Sequence, residues 1–148
     1  MLFLDKDIEL REGPVRLKFD KVFSADPEAE TVPFFHFTIF NNAGQPVGHI
    51  NFRVGNTRHV LQCAGHIGYE VLPDHRGASL AYYACKALVP IIRQFYTSVI
   101  MTVDPSNVSS IRTIEKLGAE YIGEVAIPPG DPAYASGNRK KRRYQWSP

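Results

Sequence analysis

Apolar and polar residues alternate through the first half of the chain, and a rhythm of three to four residues takes over in the second. Successive side chains of a strand point to opposite faces, so the alternation predicts strands at residues 15–23, 34–40 and 47–54. Between the second and third, Asn41-Asn42-Ala43-Gly44 has the composition of a hairpin turn. A further strand is expected from Val60 into residues 66–72, where Ile67, Tyr69 and Val71 share one face and His66, Gly68 and Glu70 the other. Pro73 ends it. After Gly77, the residues Leu80, Ala84, Ala87, Leu88, Ile91, Ile92 and Phe95 recur at helical spacing, with a kink expected at Pro90, which has no N–H to give. Residues 98–103 read as a short apolar strand. A second helix follows over 104–118, capped by Asp104, Ser106 or Asn107 and ended by Gly118, with Ile111, Ile114 and Leu117 as its buried stripe. Strands at 120–127 and 141–146, separated by a Pro- and Gly-rich loop at 128–138, complete the pattern, and 24–33 is a short solvated connection.

Two successive units therefore run strand, tight polar turn, helix. A helix start leaves about four backbone N–H groups without partners and carries roughly half a positive charge, which suits a phosphate. The small residues Gly77, Ala78 and Ser79 let such a group come close. Where two such strands turn into helices at the same sheet edge they splay and leave a cleft, here lined by residues 76–81 and Asn107. No G-x-x-x-x-G-K-[ST] is present, nor a G-x-G-x-x-G after a strand, so nucleotide hydrolysis and hydride transfer lose support.

Arg76-Gly77-Ala78-Ser79-Leu80-Ala81 resembles the loop [Q/R]-x-x-G-x-[G/A] of the GNAT superfamily of acyl-CoA-dependent N-acyltransferases, with Ser79 standing at the central glycine. Asn107, Ser110, Lys116, Gly118 and Ala119 are similar to its second signature, Asn-x-x-[Ala/Ser] followed by Lys-x-Gly-[Phe]. Residues 68–77 are close to the G-Y-x-[V/L]-x-P-x-x-R-G string of the ribosomal-protein alanine N-acetyltransferase branch, and the likeness extends over residues 33–125. It implies one α/β (α+β) domain over 1–148, with a mostly antiparallel, splayed central sheet flanked by helices, and acetyl-CoA as cosubstrate. The resemblance assigns the pyrophosphate to Arg76, Gly77, Ala78, Ser79, Leu80 and Ala81, the pantetheine amides to Val71 and Leu72, and the pantetheine arm to Asn107 with Ser110. In many members a tyrosine of the second helix protonates the departing thiolate. Ile114 stands there instead, so that acid is missing and another Tyr or a water must replace it. The connection at 24–33 is shorter than the one or two helices usual in the family, which leaves the acceptor pocket open or closed by a partner subunit in a homodimer.

Acetyl transfer to an amine needs a group that takes the ammonium proton, a stabilised oxyanion and a thiolate able to leave. His66 and Glu70 share one face of the strand entering the loop, where GNAT enzymes often place a base. His66 is the first candidate because an ordinary imidazole titrates near 6.5, and Glu70 is the second. The oxyanion is expected at a backbone N–H near Val71. His36 and His49 are expected to meet across the hairpin. The histidines show no H-x-x-x-H or Cys-paired spacing, so no metal is expected.

With 148 residues and 44% hydrophobic content the composition is that of a globular domain able to bury about two thirds of its unfolded surface. Apolar runs are too short for a bilayer span, and M-L-F-L-D-K-D lacks a signal-peptide layout, so a cytoplasmic protein without membrane contact is expected. Cys63 and Cys85 read as free buried thiols. The run Arg139-Lys140-Lys141-Arg142-Arg143 invites a nucleic-acid reading, yet net charge is only +2 and a strand would send alternate charges to opposite faces. The expected activity is N-acetylation of a primary amine by direct transfer from acetyl-CoA, on a small molecule, a peptide or a protein N-terminus. A non-catalytic acyl-CoA sensor is the alternative, and a nucleic-acid module comes after it.

Overall fold

The alternating half of the chain forms a five-stranded antiparallel sheet in the computed structural model, which describes residues 4, 7–26, 28 and 30–148. Its strands β1 (Leu10–Glu12), β2 (Val15–Phe23), β3 (Phe34–Phe40), β4 (Pro46–Arg53) and β5 (Ile67–Val71) lie in sequence order. A second antiparallel sheet holds β6 (Val99–Val103), β7 (Glu120–Ala126) and β8 (Lys140–Trp146) in the order β6-β8-β7. Four helices join them: α1 (Leu80–Ala87), α2 (Val89–Phe95), α3 (Val108–Lys116) and the single turn α4 (Pro132–Ala135). This is the antiparallel α/β architecture that the family resemblance implied.

One face of the sheets carries the core. Leu17, Phe35, Phe37, Ile39, Ile50 and Phe52 from the first sheet meet Ala84, Leu88, Ile91 and Ile92 of the helices, together with Met101 and Tyr144 of the second sheet. Burying each such side chain is worth about 1.5–3 kcal/mol, so α1 and α2 are held mainly by their apolar stripe. The opposite face of the first sheet, with Asp20, His36, Thr38, His49, Asn51 and Glu70, has no helix over it among the described residues. Consistent with this, β2 passes to β3 through a connection of ten residues, of which Pro27 and Ala29 lie outside the described residues. Leu4 and Asp7 are the described residues of M-L-F-L-D-K-D; the others lie outside.

Four local expectations change. The short β1 was not anticipated, being only three residues long. Residues from Val60 do not extend β5 but form a π-helix, Val60–Ala64. Their carbonyls find side chains rather than a ladder: Arg143 Nε donates to Leu61 O at 2.8 Å, Thr102 Oγ1 to Cys63 O at 2.7 Å, and Arg53 Nη1 to Ala64 O and Gly65 O at 3.2 Å each. Pro90 falls at the start of α2, where its missing N–H costs nothing, so the long helix is two helices meeting at a still-helical Leu88. The loop at 128–138 contains α4, because the Asp131 carboxylate accepts the Ala133 N–H and Pro132 opens the turn. Among the described residues no helix is long and apolar enough to cross a membrane.

The two sheets do not merge into one ladder. β5 and β6 touch at one end through His66, whose backbone N–H donates to Ile100 O at 2.8 Å while Ile100 N–H donates to His66 Nδ1 at 2.9 Å. Arg53 N–H donates to His66 O at 2.7 Å, and Nε2–H donates to Asn56 Oδ1 at 3.0 Å. Every hydrogen-bonding group of this buried residue is thus spent on the junction, and the strands diverge beyond it. Burial first, and the Arg53 charge as well, hold its imidazole below the usual range, with a contact at the Gly55 backbone opposing them. The unfolded chain therefore takes up a proton, as pH falls below about 6.5, that the native junction refuses, and the stabilising contribution is lost on acidification. Replacing His66 with Ala should cost about 2–3 kcal/mol by orphaning the Ile100 N–H. Thermal unfolding across pH 5–8 should also show the variant losing part of the wild-type acid dependence. An unchanged melting temperature would contradict the junction's role.

Candidate functional site

Beyond the junction the cleft opens between the carboxyl ends of β5 and β6. Leu72 N–H donates back to Val47 O at 2.8 Å, and Leu72 O accepts His75 N–H at 2.9 Å. Backbone groups alternate along a strand edge, so with Leu72 turned to β4 the Val71 N–H faces the cleft. Of the two residues expected to hold the pantetheine amides, Val71 turns its N–H to the cleft, whereas the Leu72 N–H is taken by Val47 O. Gly48 brings β4 this close to β5, since a Cβ there would collide with the Glu70 carbonyl.

A 3₁₀ turn, Pro73–His75, then leads into the loop. Gly77 has φ +94° and Ser79 φ +58°, so two left-handed residues curl the chain tightly before Leu80 begins α1. Ser79 makes no side-chain cap, and the amides of Leu80, Ala81 and Tyr82 belong to the unpaired first turn of the helix. Gly77, Ala78 and Ser79 are exposed, while the Leu80 side chain enters the core at 7% exposure. Arg76 Nε donates to Val71 O at 2.8 Å, so its side chain folds over the mouth instead of pointing outward.

Across the mouth, Asn107 caps α3 by accepting the Ser110 N–H at 3.1 Å. The Ser110 hydroxyl meets Tyr69 Oη at 2.6 Å, so a hydrogen bond from β5 to α3 crosses the inner floor of the cleft. Burial pushes the Tyr69 phenol up to about 12, with a smaller push from Cys85, and the group stays protonated. Ile114 lies in the core at 1% exposure.

The GNAT acetyltransferase domain model matches residues 9–120. The chain belongs to this family. The ribosomal-protein-S5-alanine acetyltransferase of Vibrio fischeri is similar in fold at 14% identity and TM-score 0.65, over 96% of this chain and 100% of that one. A GNAT acetyltransferase of Bacillus anthracis gives 15% identity and TM-score 0.66 over 93% and 97%. The microcin C7 self-immunity acetyltransferase MccE, solved with acetyl-CoA and AMP, gives 15% and 0.57, over 78% of this chain and 61% of that one. No curated protein matches the sequence.

As a GNAT chain, the protein brings together one of its two candidate bases and the loop. Glu70 is exposed on the uncovered sheet face, opposite His49 in the β4–β5 register. His66 is corrected: at 2% exposure, its Nδ1 lone pair is held by the Ile100 N–H and its Nε2 carries the proton given to Asn56, so it has no site left for a substrate proton. His36 and His49 do meet, with ring centroids 5.4 Å apart, and His36 also contacts Asn51 and Asp20.

Sequence reasoning missed a cluster beside the cleft. His59, Cys63 and Asp131 bring ligand-type atoms within 4.8 Å of one another, with His59 Nδ1 2.7 Å from Asp131 Oδ2. The signal was present as His59-x-x-x-Cys63, a Cys-paired spacing after all. Burial and then Asp131 push the Cys63 thiol up to about 11, in a contact that ties α4 to the π-helix. The basic run is engaged by its neighbours: exposed Arg139 stacks on Tyr134 and exposed Lys140 pairs with Glu124, while the part-buried Arg142 covers Tyr121 and Arg143 holds Leu61 O. A cavity of about 400 Å³ lined by Lys86, Arg93 and Trp146 lies at the carboxyl end of α1, away from the loop.

The left-handed Ser79 strains the loop by roughly 1–2 kcal/mol, whereas Gly adopts the same geometry at an entropic cost of about 0.5–1 kcal/mol. Ser79→Gly should therefore stabilise the fold by up to about 1 kcal/mol and retain acetyl-CoA binding, read by chemical denaturation and calorimetry. Net destabilisation would show that the hydroxyl is needed there.

Proposed function

We propose that residues 1–148 act as one cytoplasmic acetyl-CoA-dependent N-acetyltransferase that transfers acetyl directly to a primary amine. The observation that carries this reading is the amide-rich turn of Gly77 to Ala81, opening a helix at the mouth of a splayed sheet. The pyrophosphate lies on those amides, and Arg76 leaves Val71 O to meet it. Pantetheine runs along β5 at Val71, with the amide nitrogen of Asn107 free to hold the arm once its oxygen has capped α3.

Glu70 takes the ammonium proton, directly or through one water. The freed nitrogen attacks the thioester carbon, the carbonyl oxygen develops its charge near the Val71 N–H, and the C–S bond breaks as the intermediate collapses. The nitrogen gives up its second proton to solvent as the amide forms, and the departing thiolate takes one from solvent, since the Tyr69 phenol, raised to about 12, is a weaker acid than the thiol. The products are the acetylamide and coenzyme A with its thiol restored. The uncovered face leaves the acceptor side open, either to a bulky amine or to a second copy of the chain.

A second reading, acyl-CoA binding without turnover, draws on the buried Ile114 and on Arg76 lying against Val71. Thermal unfolding and thiol release separate the two. Acetyl-CoA at about a hundred times its dissociation constant should add roughly 2.7 kcal/mol, or about 5–10 °C, and Arg76→Ala should reduce the shift. Glu70→Gln should keep the shift yet slow thiol release by about 10²–10⁴-fold. A full shift with no thiol released by any amine would establish the non-catalytic reading, and no shift at all would remove both.

A further inference from the structure

Arg53 is a partly buried cation with no carboxylate beside it. It ends β4, and none of the ion pairs among the described residues includes it. Its guanidinium lies across Gly68 of β5, where a Cβ would come within 2.9 Å of Nη2 and 3.1 Å of Nη1. Glycine at that position is what lets the charge reach over the strand. Nη1 is satisfied by the Ala64 and Gly65 carbonyls, but among the described residues no acceptor takes Nε or Nη2. Burial lowers the Arg53 pKa, the expected consequence of a charge removed from water without a counter-ion. Lys141 of β8 is also partly buried near it and is depressed by burial, with Asp104, Cys63 and Asp131 opposing the shift and Arg53 adding to it. Carboxylates thus face Lys141, but none pairs with Arg53, whose open edge can take an anion.

Gly68 and Glu70 lie on the same face of β5, two residues and so about 7 Å apart. Arg53 over Gly68 therefore sets a positive group, and Glu70 a negative one, side by side along the strand and open to the uncovered face. We propose that the acceptor is a small amino acid that carries a free carboxylate next to its amine. The carboxylate takes the open guanidinium edge while the ammonium turns to Glu70. Charge-assisted hydrogen bonds of about 2.8 Å at each end, plus roughly 3 Å between the amine and carboxylate of an α-amino acid, span that separation. The nitrogen that loses its proton to Glu70 is the one acetylated, so Arg53 positions the acceptor and takes no part in bond making. A protein amino terminus, whose next group is a neutral amide, leaves Arg53 unpaired.

This inference rests on the acetyltransferase reading above, and the experiment separates their failures. Coenzyme A thiol release is measured for the full chain with acetyl-CoA and a panel of free α-amino acids, their carboxamides and methyl esters, and a peptide with a free amino terminus. Free acids should be preferred in kcat/KM on the order of 100-fold, chiefly through KM, as expected for a lost charged hydrogen bond. Arg53→Gln should bring acid and amide towards parity while leaving acetyl-CoA affinity by calorimetry unchanged, and Arg53→Lys should restore part of the preference. Equal turnover of acids, amides and peptide by the wild type would overturn this proposal and leave the acetyltransferase reading standing. Acetyl-CoA binding without thiol release from any amine would overturn both. The acid-against-amide comparison needs no variant, so loss of folding in Arg53→Gln does not protect the proposal.

Discussion

His66 is the hinge pin of this molecule. Two antiparallel sheets that share no continuous ladder are tied at one point, where its backbone N–H and ring nitrogen bracket Ile100 while its carbonyl and second ring nitrogen hold Arg53 and Asn56. An aromatic contact with Tyr96, whose hydroxyl accepts the Gly55 N–H, packs the same point. Because the tie lies at one end of β5, the other end is free to diverge from β6. Had β5 and β6 paired along their length, the Val71 amide would have a strand partner and no cleft would exist. The cleft follows from a sheet left half-joined, and the residue that joins it is removed from chemistry by that task.

The cleft has an inner and an outer side with different characters. On the inner, helical side lie the amides of the loop, the Asn107 cap and the Tyr69–Ser110 contact, all suited to a long ligand with phosphate at one end. The outer side is the polar sheet face, where Asp20, Thr38, His36, Asn51 and His49 are linked in contacts and Glu70 stands at the rim. A short connection between β2 and β3 leaves that side uncovered, while the π-helix packs on β6 and β8 and is joined to α4 by the His59–Asp131 contact. Reaction across such a cleft needs the two ligands to approach from opposite sides and meet between β5 and β6.

Much of this was legible in the chain. Strand β2 follows from alternation up to Phe19 and β3 from its apolar, aromatic run, and the apolar rhythm from Leu80 to Phe95 named the helix faces that the core uses. The tight loop before α1 and the Asn107 cap of α3 could be read because each depends on local backbone geometry that a few residues dictate. What escaped depends on distant partners. The π-helix at Val60–Ala64 carries the apolar content of a strand, but side chains from β4, β6 and β8 capture its carbonyls. His66 looked like a base because an isolated imidazole titrates near neutrality. Only the partners on Ile100 and Asn56, far from it along the chain, show that both ring nitrogens are taken. Arg53 gave no sequence signal, since its importance comes from a glycine on the neighbouring strand and from the absence of an acid.

A junction at His66 holds the sheets together at one end and leaves the other open to acetyl-CoA. Amide chemical shifts of the isotopically labelled protein, followed as acetyl-CoA is added, read both ends at once. The largest changes should fall at Val71 and Gly77 to Ala81, with smaller ones at Asn107 and Ser110, and Ile100 at the closed end should stay in place. Changes concentrated on Lys140 to Arg143, or an Ile100 amide that moves as much as the loop, would contradict it.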